Sequence, residues 1–185
     1  MHTLDTPYLR VAGGFGARLA LVSDQQWHLP TPCTEWTVKE LTNHVVNTHQ
    51  RVYVMAVSSG IEGIDDAESI IDRWAVVSAA LRRARFDPTL RRTPVTTLRG
   101  EQTFSELIEG LLMFDTLCHT WDLARAIGAD ETLDSEAVQI AHEQLGAVSA
   151  AIRVPGGFAD ELPDDPDADA QTRFLLFAGR AVSRT

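Results

Sequence analysis

The sequence lacks most of the features that would assign a function at a glance. No uninterrupted apolar run approaches the roughly 20 residues that a membrane span needs, so no membrane partner is expected. Cysteine is nearly absent. Cys33 and Cys118 are too few to staple a chain of 185 residues, and reduced thiols are expected. Basic residues are in deficit, giving a formal net charge of −10, and without a basic footprint a nucleic-acid partner is not expected. The N-terminal MHTLDTPYLR has no basic segment followed by an apolar one, which argues against a secretory signal and for the cytoplasm. One stretch runs against the acidic balance: RRARFDPTLRR at 82–92, read as the solvated end of a helix and its turn.

What is present is helical periodicity. Hydrophobic residues make up 44% of the chain, enough for one sizeable core, so residues 1–185 are expected to form a single domain. No run of strict alternation is long enough to support a sheet, and the expected class is all-α. A first helix is expected over about 5–26, weakened in its middle by Gly13 and Gly14. LPTPCTEW (29–36) is a loop, because its two prolines remove donors and disfavour helical geometry before them. A second helix follows to about Val57, with Thr37 and Glu40 spaced as a capping box. A third spans about 67–85, with Ile70, Trp74, Val77 and Leu81 on one face. Residues 86–102 read as a long excursion with one short extended piece at 93–98. The fourth helix, about 103–127, stops at Gly128, and a fifth covers about 134–152 before a break at Pro155–Gly157. ADELPDDPDADA (159–170) is an acidic exposed connector, and 172–182 forms a short amphipathic piece able to dock back. Such helices joined by modest loops make a bundle, in which sites are built from side chains projecting inward.

The fourth helix carries an anomaly. Phe104, Ile108, Leu111, Asp115, His119, Asp122 and Ala126 follow one another by three or four residues, so they share a face. Asp115 and His119 thus replace apolar residues in the middle of a core stripe. A buried unpaired carboxylate costs several kcal/mol, so a compensating partner is required. On the second helix, His44 sits among Leu41, Val45 and Thr48 on the apolar side. Two imidazoles and one carboxylate from two helices suit Zn²⁺ with an open position, and equally Fe²⁺, Ni²⁺ or another divalent first-row ion. A hydrogen-bonded Asp115–His119 pair with His44 as a satisfied core histidine is the other reading, and the residues alone leave both open.

The runs PTPCTEWTVKELTNH (30–44) and FDTLCHTWDLARAIG (114–128), with GGF (156–158) and DAQTRFLLFAGR (169–180) near the end, resemble the DinB/YfiT-like superfamily. More narrowly, they are similar to its metal-binding branch, which includes mycothiol-dependent maleylpyruvate isomerase. The resemblance spans nearly the whole chain. It implies a DinB-like four-helix bundle with an additional C-terminal helix and a short terminal segment, holding a divalent metal, commonly zinc, through His44, Asp115 and His119. It also implies a thiol S-transferase or isomerase using mycothiol or a similar low-molecular-weight thiol as cosubstrate, and it allows a homodimer. That isomerase has a glutamate where this chain has Asp115, one methylene shorter, and a second C-terminal domain for which this chain has no length. Both departures bear on maleylpyruvate isomerisation itself.

A metal with an open position can bind a thiol, lower its pKa and present the nucleophilic thiolate to a small electrophile. Asp122, one turn beyond His119, is the candidate catalytic residue, as a base or as the group that orients that imidazole; a cap or an ion pair near Arg125 is the plainer alternative. Trp36 and Trp121 are expected as core anchors and Cys118 as a buried small hydrophobe. Cys33 lies in the loop before the His44 helix with no visible basic neighbour. His49 falls off the His44 face and, with His2, His28 and His142, is assigned to the surface. A metal-binding bundle without catalysis, such as a stress-linked or binding protein, is the competing function.

Overall fold

A computed structural model describes residues 5–57, 59–97, 100–145, 153 and 159–182. Among these residues, six helices and one two-stranded hairpin follow in chain order: α1 (Pro7–Leu19), α2 (Val38–Ala56), α3 (Ile70–Phe86), β1 (Pro94–Thr97), β2 (Gly100–Thr103), α4 (Phe104–Leu107) running through a π turn (Ile108–Leu112) into α5 (Met113–Ile127), and α6 (Ser135–Leu145). After the acidic connector comes a short helix α7 (Ala170–Phe177), the sixth once α4 and α5 are counted as one run. The mostly helical expectation holds. The expected absence of any sheet does not: β1 pairs antiparallel with β2 from Pro94–Thr103 to Thr97–Gly100. The extended piece expected at 93–98 is β1; its partner β2, four residues long, shows no alternation in the sequence, and it opens on Gly100 at φ 95°, where a side chain would be strained.

The helix boundaries follow local chemistry. Thr37 accepts from the Glu40 amide while the Glu40 carboxylate accepts from the Thr37 amide at 2.8 Å, the reciprocal box that starts α2. α5 stops at Gly128, left-handed at φ 69°. α1 is shorter than its periodicity suggests and ends at Leu19. Ser23 donates its amide to Gln26 Oε1 at 3.0 Å, and Gln26 Nε2 donates to the Ile127 carbonyl, so local side-chain bonds replace the helical ladder there. The last part of the expected fifth helix and the break at 155–157 lie outside the described residues.

α5 is the central element. It packs against α1, α2 and α6, while α2 also packs on α3 and α3 on α1. Residues 116–124 are all buried, the mark of a helix covered on every side. Thr116 and Thr120 satisfy their buried hydroxyls by donating to the Leu112 and Thr116 carbonyls, both at 2.7 Å. Burying a side chain such as Leu117 or Phe114 stabilises the fold by roughly 1.5–3 kcal/mol. The π turn adds a residue upstream, so the buried stripe steps from Ile108 to Leu112 and Met113, and Leu111 is only partly buried.

Candidate metal centre

α2 and α5 bring His44, Asp115 and His119 together. One ligand-type atom from each lies within 4.8 Å of the other two. Asp115 Oδ1 is 3.3 Å from His44 Nε2 and 3.5 Å from His119 Nε2. Its second oxygen, Oδ2, is buried with no hydrogen-bond partner among the described residues. A carboxylate with one oxygen shared between two imidazoles and the other unmatched is under-satisfied, and a cation between the three groups would relieve it. The donor set, two imidazoles and one carboxylate, fits a divalent first-row ion.

The centre is graded from rim to core. Side-chain exposure is 20% at His44 and 19% at Asp115, 7% at His119 and 0% at Asp122, so solvent reaches the first pair and not the last. Trp36 lies over the rim, its ring 4.5 Å from that of His44 and 5.6 Å from that of His119. Trp36, also expected as a core anchor, is therefore only partly buried, whereas Trp121 is a core anchor as expected, at 1% exposure.

Behind His119 the structure holds a second cluster. His119 Nδ1 is 2.9 Å from Asp122 Oδ2. Arg180, from the segment after α7, donates Nε to Asp122 Oδ1 at 3.2 Å and Nη2 to Asp122 Oδ2 at 2.8 Å. The same Nη2 donates to Cys33 Sγ at 2.9 Å. Asp122 thus does not pair with Arg125, which binds Glu131 at 3.0 Å instead. Cys33, His119 and Asp122 also place ligand-type atoms within 4.8 Å of one another, but a guanidinium already neutralises that set. Of the two triads sharing His119, only His44, Asp115 and His119 include an unmatched carboxylate oxygen, that of Asp115.

Electrostatics follow from burial and neighbours. Burial alone would raise Asp115, yet His119 and His44 beside it hold its carboxyl well below the usual range. Burial would lower His119, but Asp115 and Asp122 outweigh it and hold the imidazole's pKa well above its ordinary value. Asp122 is likewise opposed by burial and held down at about 2 by His119 and Arg180, so it is ionised near neutrality. Cys118 is pushed up to about 12 by burial, as an inert core thiol should be.

Two assignments from the sequence need correction. His49 is not a surface residue: it is fully buried, its Nδ1 2.8 Å from the Val45 carbonyl and its ring 4.8 Å from that of Trp74. α2 is covered on two sides, by α5 and by α3, so leaving the His44 face does not mean reaching solvent. Cys33 does have a basic neighbour, Arg180, at a separation of 147 residues that no local pattern reveals. His28 and His142 are exposed as expected, and His2 lies outside the described residues.

Residues 9–62 match the profile of the mycothiol maleylpyruvate isomerase N-terminal domain. The chain is also 33% identical over 178 residues to Uncharacterized protein MT0763 of Mycobacterium tuberculosis (strain CDC 1551 / Oshkosh), covering 94% of this chain and 95% of that one. The chain belongs to the mycothiol maleylpyruvate isomerase N-terminal domain family. Uncharacterized protein Rv0738 of Mycobacterium tuberculosis (strain ATCC 25618 / H37Rv) matches to the same extent, 33% over 178 residues. No solved structure matches the chain significantly. Within the family profile's residues lie Cys33, Trp36 and His44; Asp115, His119, Asp122 and Arg180 lie beyond them. No helix among the described residues is long and apolar enough to cross a membrane.

Proposed function

We propose that residues 1–185 form a single DinB-like four-helix bundle that binds a divalent metal, zinc foremost, through His44, Asp115 and His119. We further propose that it acts in the cytoplasm as a metal-dependent S-transferase or isomerase, joining a mycothiol-type thiol to a small electrophile. The observation that carries this reading is Asp115, with Oδ1 between two imidazoles and Oδ2 buried and unmatched. Membership of the mycothiol-related family supports a low-molecular-weight thiol as the partner. When bound, the ion would supply Lewis acidity, lowering the pKa of a coordinated thiol so that it reacts as the thiolate.

The chain's own residues have separable tasks in this scheme. His44, Asp115 and His119 hold the ion, with His119 presenting Nε2 because Nδ1–H is donated to Asp122. Asp122 has no exposure and both its oxygens face Arg180, so of its two candidate roles the orienting one fits better than that of a base acting on substrate. Trp36 shields the imidazole rings from bulk water on the rim, which strengthens electrostatic interactions at the site. The more exposed His44 and Asp115 mark the side from which thiol and electrophile arrive.

The test is a bimane-transfer assay. Metal-loaded protein should accelerate conjugation of monochlorobimane with mycothiol, and a His44→Ala variant should lose that acceleration. No acceleration with mycothiol, bacillithiol or glutathione would instead support a metal-binding bundle without catalysis.

A further inference from the structure

Arg180 is 7% exposed, and its guanidinium is held by four hydrogen bonds to three residues. It makes a two-pronged pair with Asp122, donates Nη1 to the Ala178 carbonyl at 2.6 Å and shares Nη2 with Cys33 Sγ. Its backbone is fixed as well. The Gly179 amide donates to the Leu176 carbonyl at 3.0 Å and the Arg180 amide to the Leu175 carbonyl at 2.8 Å, closing α7 through a left-handed Gly179 at φ 79°. A Cβ at Gly179 would stand 2.7 Å from the Asp160 carbonyl oxygen, so a side chain there would push the turn away.

We propose that Arg180 is a positioning residue of the metal centre, acting through Asp122 on His119. This rests on the reading that His44, Asp115 and His119 hold the ion. A planar fork matches a carboxylate in one orientation, so Arg180 fixes the rotation of Asp122. Asp122 in turn aligns the imidazole by accepting from Nδ1–H, and Nε2 is then aimed at the ion. Arg180 also balances charge. Asp122 would otherwise be a buried anion competing with the ion for His119, drawing the ring toward itself and away from the site. Through Cys33 Sγ the same guanidinium ties down the loop that carries Trp36 over the two imidazoles. A residue 58 positions from Asp122 in sequence, in the segment after the last helix, thereby becomes part of the centre.

Cobalt(II) titration of the full-length protein tests this, read by the visible d–d spectrum and by chelator competition. Arg180→Gln should weaken cobalt binding by about tenfold or more and alter the spectrum, because supports of metal-ligating histidines typically carry about 10–100-fold in affinity. Arg180→Lys, which keeps the charge without the fork, should recover part of the affinity but not the wild-type spectrum. Arg173→Gln, which removes an equal charge from an exposed pair with Asp164, should bind as wild type. A folded Arg180→Gln with wild-type affinity and spectrum overturns the inference while leaving the metal reading intact. Should Arg180→Gln fail to fold, an Arg180→Lys protein identical to wild type in both measurements overturns it equally. A wild type that takes up no cobalt overturns the metal reading itself, and this inference with it.

Discussion

His119 Nδ1 lies 2.9 Å from Asp122 Oδ2, and the carboxylate it meets is shut off from solvent. Because Asp122 is ionised and can only accept, the bond keeps a proton on Nδ1 and leaves Nε2 facing Asp115. Asp122→Asn keeps the shape but removes the charge. Metal affinity should fall by about 10–100-fold, measured by chelator competition. The substitution also leaves Arg180 without its counter-charge, and removing one partner of a buried pair costs roughly 3–5 kcal/mol, so a lower Tm is expected in the metal-free protein. Equal affinity in the variant would mean that Asp122 does not support the centre.

A second prediction concerns pH and His49. Burial lowers this imidazole's pKa to about 4 from 6.5, against the weaker opposing effect of its bond to the Val45 carbonyl. In the unfolded chain it takes up a proton near pH 6.5, whereas in the folded chain it stays neutral until about pH 4. Its contribution is therefore complete above pH 6.5 and is lost as pH falls through that window, by roughly 3 kcal/mol at about 1.4 kcal/mol per unit. Other groups also contribute to the pH dependence, so the comparison is between wild type and His49→Leu in urea titrations with a chelator present. The stability of the variant should fall less between pH 6.5 and 4.5. Parallel pH dependence would show that His49 is not held neutral by burial.

Two glycines of α1 should respond oppositely to alanine. Gly13 has nothing within 4 Å of an added Cβ, and alanine there should raise stability by about 0.5–1 kcal/mol through helix propensity and reduced freedom of the unfolded chain. At Gly16 an added Cβ would stand 2.6 Å from Trp74 Nε1, so alanine should lower Tm as the indole is pushed from the core. Thermal melts of both variants check this, and a stabilised Gly16→Ala would contradict the close approach of α1 and α3.

The residues differ in how readable they were. The Thr37–Glu40 box and the stop at Gly128 depend on neighbours within a turn, so sequence carries them directly. The pairing of His44 with Asp115 across 71 residues was also legible, because helical spacing places each on an inward stripe and only a few core positions are polar. Arg180 was not. Its partners are 58 and 147 residues away, and an arginine after a short helix looks like an ordinary solvated cation until the chain folds back. His49 lies off its expected place because periodicity assigns a helix one buried face, whereas α2 touches both α3 and α5. The π turn is equally silent in the sequence: Leu111 and Leu112 are both apolar, and only the extra residue decides which faces inward.

The central claim is that His44, Asp115 and His119 share one ion, and metal content measures it most directly. Protein purified without chelator, analysed by inductively coupled plasma mass spectrometry beside His44→Ala and Asp115→Asn, should carry close to one divalent ion per chain, and the two variants should carry far less. A wild type without stoichiometric metal, or variants that retain it in full, would contradict the account.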